Sequence, residues 1–260
     1  MDLLKLDKVN INIRENKKPL IEDISLEIKE KAITTIIGNS GSGKSLLTQA
    51  IMRILPNNLE ISGRIEFKGI DLLKLKENKM NKIRGKEIGI VLQNVSGSLN
   101  PLLKNKNQIS IILKEHGYKR REIQNRILEL LEKVKLEDAN RILKLYPHEL
   151  SGGIKQRFMT AIAISSSPDL LILDEPTKGL DYKLTKEIVE MILKLNRKED
   201  MSILLISHDL ELARNISDYI YFINHGKISA EGIPEKIFQM KSNMNLRELI
   251  EAERIIKGEI

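Results

Sequence analysis

The sequence predicts an α/β protein with a mainly parallel core sheet, organised around a phosphate-binding loop. Three observations lead there. The first is Gly38-Asn39-Ser40-Gly41-Ser42-Gly43-Lys44-Ser45, which fits the pattern G-x-x-x-x-G-K-[ST]. The second is its setting. A β-rich apolar run, residues 32–37, precedes it, and residues 46–55 read as a helix, so a bound phosphate would meet a helix N-terminus. The third is a pair of later apolar runs with polar tips: residues 170–173 before Asp174-Glu175, and residues 203–206 before Ser207-His208-Asp209. Strands alternating with helices imply a parallel sheet, with ligands at the carboxyl ends of the strands.

The loop residues have separate tasks. Glycines let the backbone curl so that successive N–H groups face phosphate oxygens. Lys44 reaches the β- and γ-phosphates, and the Ser45 hydroxyl suits Mg²⁺. The expected nucleotide-binding set is Gly38, Asn39, Ser40, Gly41, Ser42, Gly43, Lys44, Ser45 and Leu46. A plain Gly/Ser turn ahead of a helix is the alternative, and the flanking strand and helix argue against it.

Composition narrows the class. The chain has 260 residues, 41% hydrophobic but only 3% aromatic, so a sizeable core must be aliphatic. The net charge of +7 comes from 43 basic and 36 acidic residues, interspersed without long runs. That pattern reads as solvated lysines rather than a nucleic-acid patch, and no nucleic-acid partner is expected. There is no cysteine, which excludes disulfides and thiolate metal sites and fits a reducing compartment. The first ten residues alternate charge with leucine, unlike a signal peptide, and no apolar run is long enough to span a membrane.

Taken in order, residues 3–13 and 20–28 read as strands around a polar turn. Residues 64–67 form a short strand before the turn Lys68-Gly69. Residues 88–92 form an apolar strand ending at Gln93. From residue 98 to about 145 the pattern becomes helical; Ile123, Ile127, Leu130, Leu131 and Val134 share one helix face. After the strand at 170–173 come a helix at 184–195 and the strand at 203–206. Residues 219–223 and 227–230 form a hairpin through His225-Gly226. Asn245 with Glu248 suggests a capping box for a C-terminal helix.

The polar tips carry the chemistry. A phosphate-loop ATPase needs a carboxylate for Mg²⁺ and a group that activates or positions water. Asp174 suits the first role and Glu175 the second. His208 could bond the γ-phosphate, whereas His116, His148 and His225 lie in polar segments and are expected at the surface. Gln93 could reach Mg²⁺ or the attacking water. Leu150-Ser151-Gly152-Gly153 opens another helix and offers a second phosphate site, with Ser151 as donor. One nucleotide does not need two such sites on one chain, so this one is expected to serve the nucleotide of another subunit. The plainer alternative is an N-cap at Ser151.

The ordered set of the phosphate loop, Gln93, Leu150-Ser151-Gly152-Gly153-Ile154-Lys155-Gln156-Arg157, the strand ending Asp174-Glu175-Pro176, Gly179-Leu180-Asp181 and His208 resembles the nucleotide-binding subunits of ABC transporters. The resemblance covers essentially the whole chain. It implies one ABC ATPase domain over residues 1–260: an N-terminal antiparallel β subdomain, a helical insertion at about 94–165 and a C-terminal helix at 240–260. It also implies ATP with Mg²⁺, and a head-to-tail dimer with each ATP between one phosphate loop and the other chain's Ser151, Gly152 and Gly153. By the same resemblance Gln93 couples nucleotide state to membrane subunits, and Asp181 lies at the dimer interface.

Residues 83–89, Ser98-Leu99-Asn100-Pro101, Tyr146-Pro147-His148-Glu149 and residues 231–238 are similar to the dipeptide, oligopeptide and nickel importers. Length and the lack of cysteine favour the dipeptide or nickel kind. The implied partners are integral-membrane permeases, a related but distinct second ATPase and, indirectly, a solute-binding protein. The implied location is the cytoplasmic face of the membrane, held peripherally. Two departures stand out. The family's aromatic for stacking on adenine is missing near Ile13, with Ile11 also aliphatic. The branch's His-Pro-Tyr-Thr is replaced around residues 239–244. Two rivals share the catalytic motifs: a soluble ABC ATPase such as one serving iron–sulfur cluster assembly, and a nucleic-acid-linked ABC head, which usually carries a long coiled coil between its motifs.

Overall fold

Strand β1 (Asp2–Ile13) pairs antiparallel with β2 (Pro19–Lys29) and with β4 (Leu59–Phe67), and β4 pairs with the short β5 (Ile70–Asp71). The computed structural model describes residues 1–240 and 243–257. The inward face of β1 switches parity: Leu4 and Leu6 are buried, then Val9 and Ile11. In β2 it switches from Ile21 to Ile24, Leu26 and Ile28. Strict alternation cannot bury both sets, so each strand carries one extra residue. Lys8 (φ 49°) and Asp23 (φ 52°) are those residues. The Lys8 N–H donates to Ser25 Oγ at 3.0 Å and the Asp23 N–H to Asn10 Oδ1 at 2.9 Å, so the bulges strand no donor.

The chain divides into two compact units, Met1–Met80 with Ser202–Ile260, and Asn81–Met201. Besides the antiparallel sheet, the first unit holds β3 (Ile33–Ile37), β8 (Ser202–Ser207), β9 (Tyr219–Asn224) and β10 (Lys227–Gly232). Strand β3 runs parallel to both β8 and β9, and β9 turns back into β10. Every residue of β3 and β8 is buried, as expected of parallel strands covered on both faces. Tyr221 ties this layer to β2: its hydroxyl accepts from the Glu27 N–H at 3.0 Å. Burial is the main cause pushing the Tyr221 hydroxyl up to about 12. Helices α1 (Lys44–Ile51), α9 (Leu210–Ile216), α10 (Pro234–Gln239) and α11 (Met244–Lys257) also belong to this unit. Leu246 joins the core around Ile37, Leu210, Ile220 and Phe222, which anchors α11. The α11 cap is Asn243, whose Oδ1 accepts from the Leu246 N–H at 3.1 Å, not the expected Asn245. Burying Leu246 fixes the helix phase, and Asn245 falls in its first turn. Of the segment where the importer branch differs, Lys241 and Ser242 lie outside the described residues, as do residues 258–260 of the expected C-terminal helix.

Helix α2 (Glu77–Ile83) leads in the chain to the second unit. There β6 (Ile88–Val91) runs parallel to β7 (Leu170–Asp174). The helices are α3 (Val95–Ser98), α4 (Asn105–Glu115), α5 (Arg120–Lys133), α6 (Ala139–Lys144), α7 (Gly152–Ala163) and α8 (Tyr182–Glu199). In α5, Ile123, Ile127, Leu130 and Leu131 are buried, with Val134 just beyond, as their spacing predicts. Asn105, fully buried at the start of α4, donates to the Ile142 carbonyl at 2.9 Å and so fixes α4 to α6. His116 is half-buried rather than a surface residue. Its Nδ1 lies 3.3 Å from Ser165 Oγ, and burial first, then Lys86, lowers its pKa. His148 and His225 are exposed.

Candidate nucleotide site

In the first unit the phosphate loop leaves β3 at Gly38 and enters α1 at Lys44, two residues earlier than the sequence predicts. Gly43 (φ 100°) is the left-handed N-cap, so the helix starts as soon as the loop closes. The helix ends at Ile51 rather than running to residue 55, because Arg53 turns left-handed at φ 52°. Two glycines are required, Gly38 by the close approach of backbone and Gly43 by its φ of 100°. A Cβ on Gly38 would lie 2.2 Å from the Ile223 carbonyl oxygen, and one on Gly43 would lie 2.2 Å from Ile21 Cδ1.

Lys44 is buried, and its Nζ donates to the carbonyls of Gly38 (2.7 Å) and Asn39 (2.9 Å). The ammonium therefore lies across its own loop. Ser42 is also buried, and its Oγ has no hydrogen-bond partner among the described residues. An orphaned hydroxyl costs roughly 1–3 kcal/mol unless something bonds it; a phosphate oxygen in the loop would. No acidic residue occupies the first turn of α1, which leaves its positive end open to an anion. The Leu46 N–H already donates to the Gly43 carbonyl at 3.0 Å, so Leu46 offers position rather than a free donor. Ser45 is half-buried, and Asn39, Ser40 and Gly41 are exposed. His208 is exposed one residue beyond the Ile37–Ser207 pair, the same step that Gly38 takes from β3. Asp209 then caps α9, accepting from the Leu212 N–H at 2.9 Å.

In the second unit Asp174 is the buried last residue of β7, and Glu175 follows it. Glu175 and Gln93 each stand two residues past the Val91–Leu173 pair, at the same end of these parallel strands. Gln93 is exposed, while Glu175 is half-buried and left-handed at φ 52°. Ser151 is the N-cap of α7, but its side chain makes no capping bond and is exposed, with Gly152 beside it. Gly153 packs against Leu184. Asp181 caps α8, its Oδ1 accepting from the Leu184 N–H at 2.9 Å.

Sequence reasoning missed what holds α7 still. Arg157 donates to the Lys135 carbonyl at 2.9 Å and pairs with Glu187 of α8. Burial lowers its pKa, which marks how deeply this cation is set. The signal was an arginine four residues after Gly153 on the apolar face of the helix. Mg²⁺ prefers oxygen donors, with most ligands from phosphate and water. Within the first unit the Ser45 hydroxyl is an oxygen donor of that kind, and among the described residues no group of three His, Cys, Asp or Glu forms a protein-only cage.

Comparison with known proteins identifies the family. The ABC transporter family profile matches residues 21–178. The chain is 34% identical over 253 residues to the oligopeptide transport ATP-binding protein OppD of Lactococcus lactis subsp. cremoris, covering 96% of this chain and 75% of that protein. It is 31% identical over 257 residues to the metal-staphylopine import system ATP-binding protein CntD of Staphylococcus aureus, covering 98% and 95%. Among solved structures, it resembles the ATP-binding cassette MJ0796, a dimer in a post-hydrolysis state bound to ADP and Pi. The TM-score is 0.79 at 28% identity, over 89% of this chain and 98% of that one. These relatives set the chain beside the ATP-binding subunits of importers. The chain belongs to the ABC transporter family, as one of its ATP-binding, ATP-hydrolysing subunits.

Proposed function

We propose that the chain energises an importer for peptides or for nickel or other metal complexes, from the cytoplasmic face of the membrane. It does so beneath integral-membrane permeases that receive substrate from a solute-binding protein. Among the described residues no helix is long and apolar enough to cross a membrane, so the reading gives the crossing to those permeases. The relatives' names support the substrate class: one serves oligopeptides and another a metal–staphylopine complex.

In this reading Lys44, the loop amides and the Ser42 hydroxyl hold the phosphates. Ser45, Asp174 and Gln93 hold Mg²⁺, with Gln93 also reporting nucleotide state to the permeases. Bound there, Mg²⁺ would neutralise charge on the β- and γ-phosphates. Glu175 draws the proton from, or positions, the attacking water, and His208 steadies the γ-phosphate. The observation that carries the dimer is Ser151: an exposed hydroxyl beside the exposed Gly152 at a helix N-terminus, making no capping bond to its own helix. Ser151, Gly152 and Gly153 act on the nucleotide held by a second, related ATPase chain, and Asp181 lies at that interface.

The test is to purify the chain with its membrane subunits and ask which solute-binding-protein ligand raises ATP hydrolysis. Stimulation by a peptide or a metal complex is expected. Recovery only as a soluble complex would reject the importer.

Base recognition yields a further expectation. No Phe, Tyr or Trp precedes the loop, Ile11 is fully buried, and only Ile13 is partly open. Without hydrogen-bond readout of the base, discrimination is worth little. Competition binding should give ATP and GTP affinities within about tenfold of each other; a much larger preference for ATP would contradict this.

A further inference from the structure

The tip of the β9–β10 hairpin is pinned against the phosphate loop. Ile37 of β3 pairs with Ser207 on one side and Phe222 on the other. The loop that follows therefore has His208 on its β8 flank and Asn224-His225-Gly226 on its β9 flank. The β9 flank is built at close quarters. Gly38 leaves no room for a Cβ against the Ile223 carbonyl, as described above. A Cβ on Gly226 would stand 2.3 Å from the Leu20 carbonyl oxygen, and the Glu22 N–H donates to the Gly226 carbonyl at 2.9 Å. Lys227 adds an ion pair to Glu22 at 2.9 Å. Ile21, next to Leu20, presses on Gly43 at the other end of the loop. His225 thus sits at the apex of a turn fixed to both ends of the loop, with φ 47° and its side chain exposed.

A purine is commonly held by a planar partner, because every base offers a π-face. Strands β1, β2 and β3 supply no aromatic ring, Phe67 of β4 is buried, and Ile11 is sealed in the core. We propose that His225 is that partner: its imidazole stacks on the base of the bound nucleotide. This rests on the reading that the loop holds the phosphates and His208 the γ-phosphate. With the γ-phosphate toward the β8 flank, the nucleoside leaves over the β9 flank, where His225 stands. Stacking accepts either purine, which agrees with weak discrimination between ATP and GTP.

The test compares equilibrium binding of ATP and of inorganic tripolyphosphate, both with Mg²⁺, to the full chain and its variants. His225→Ala should weaken ATP about tenfold and leave tripolyphosphate within about twofold. His225→Phe should keep ATP affinity close to that of the unsubstituted chain, because a ring is retained. Unchanged ATP affinity in His225→Ala overturns the proposal. Equal losses for ATP and tripolyphosphate overturn it too, since they would mean a phosphate contact or a disturbed turn. Lys44→Ala separates this from the underlying reading: it should weaken both ligands, and unaltered tripolyphosphate binding would remove the loop as the phosphate site, and the stacking proposal with it.

Discussion

Glu175→Gln is expected to retain ATP binding and to lose turnover. The substitution keeps size and one oxygen acceptor but removes the group able to take a proton from water. General-base assistance contributes about 10²–10⁴-fold, so kcat should fall at least about 100-fold while ATP affinity stays within a few-fold. The backbone bears on the choice of substitute. Glu175 follows a fully buried strand and is held left-handed at φ 52°, a geometry that costs a non-glycine residue roughly 1–2 kcal/mol. Glutamine meets the same backbone demand, so a lost rate would reflect chemistry rather than folding. Single-turnover hydrolysis alongside nucleotide binding, with the membrane subunits present, decides it. Near-normal hydrolysis would take Glu175 out of the mechanism.

Lys44→Ala should abolish usable nucleotide binding. The ammonium is buried and bonds two loop carbonyls, at 2.7 and 2.9 Å. Its removal deletes a charge meant for phosphate and also the clasp that shapes the loop. A hydrogen bond from a charged donor contributes roughly 1.5–3 kcal/mol, so losing the ammonium's bond to phosphate corresponds to about a 10- to 150-fold rise in Kd, while the two lost carbonyl bonds loosen the free loop. Lys44→Arg should rescue little, because a planar fork cannot replace a compact ammonium. Titration calorimetry measures the affinity, and thermal melting separates a loosened loop from a lost fold. Affinity for ATP within a few-fold of the starting chain would refute the role.

The parallel strands were legible because strands buried on both faces read as continuous apolar runs. Their tips were legible because Asp174, His208 and Gln93 end those runs, each at the carboxyl end of its own strand. The bulges at Lys8 and Asp23 went unread, although the switch from Leu4 and Leu6 to Val9 and Ile11 was there to see. Local rules offered Asn245 as a cap, and burial of Leu246 selected Asn243 instead. His116 looked solvated among Lys114, Glu115 and Gly117; what covers it, Lys86 and Ser165, is distant in sequence. For the same reason no local pattern could show that Lys44 spans its own loop, that Ser42 Oγ has no hydrogen-bond partner among the described residues, or that Gly226 abuts Leu20. Each depends on chain segments meeting that are far apart in sequence or curled back on themselves.

The paired bulges of β1 and β2 have a consequence for evolution and design. Sliding one strand past the other by a single residue would turn Lys8 or Asp23 inward and expel Val9 or Ile24. The hairpin therefore has one admissible alignment, and its length at Leu20 and Ile21 is set to the residue. Insertions should be tolerated in the turn at residues 14–18 but not between the bulges and Ile21, where one added residue would shift the side chain wedged against Gly43. A library of single-residue insertions across this hairpin would therefore show a sharp border, permissive on one side and intolerant on the other.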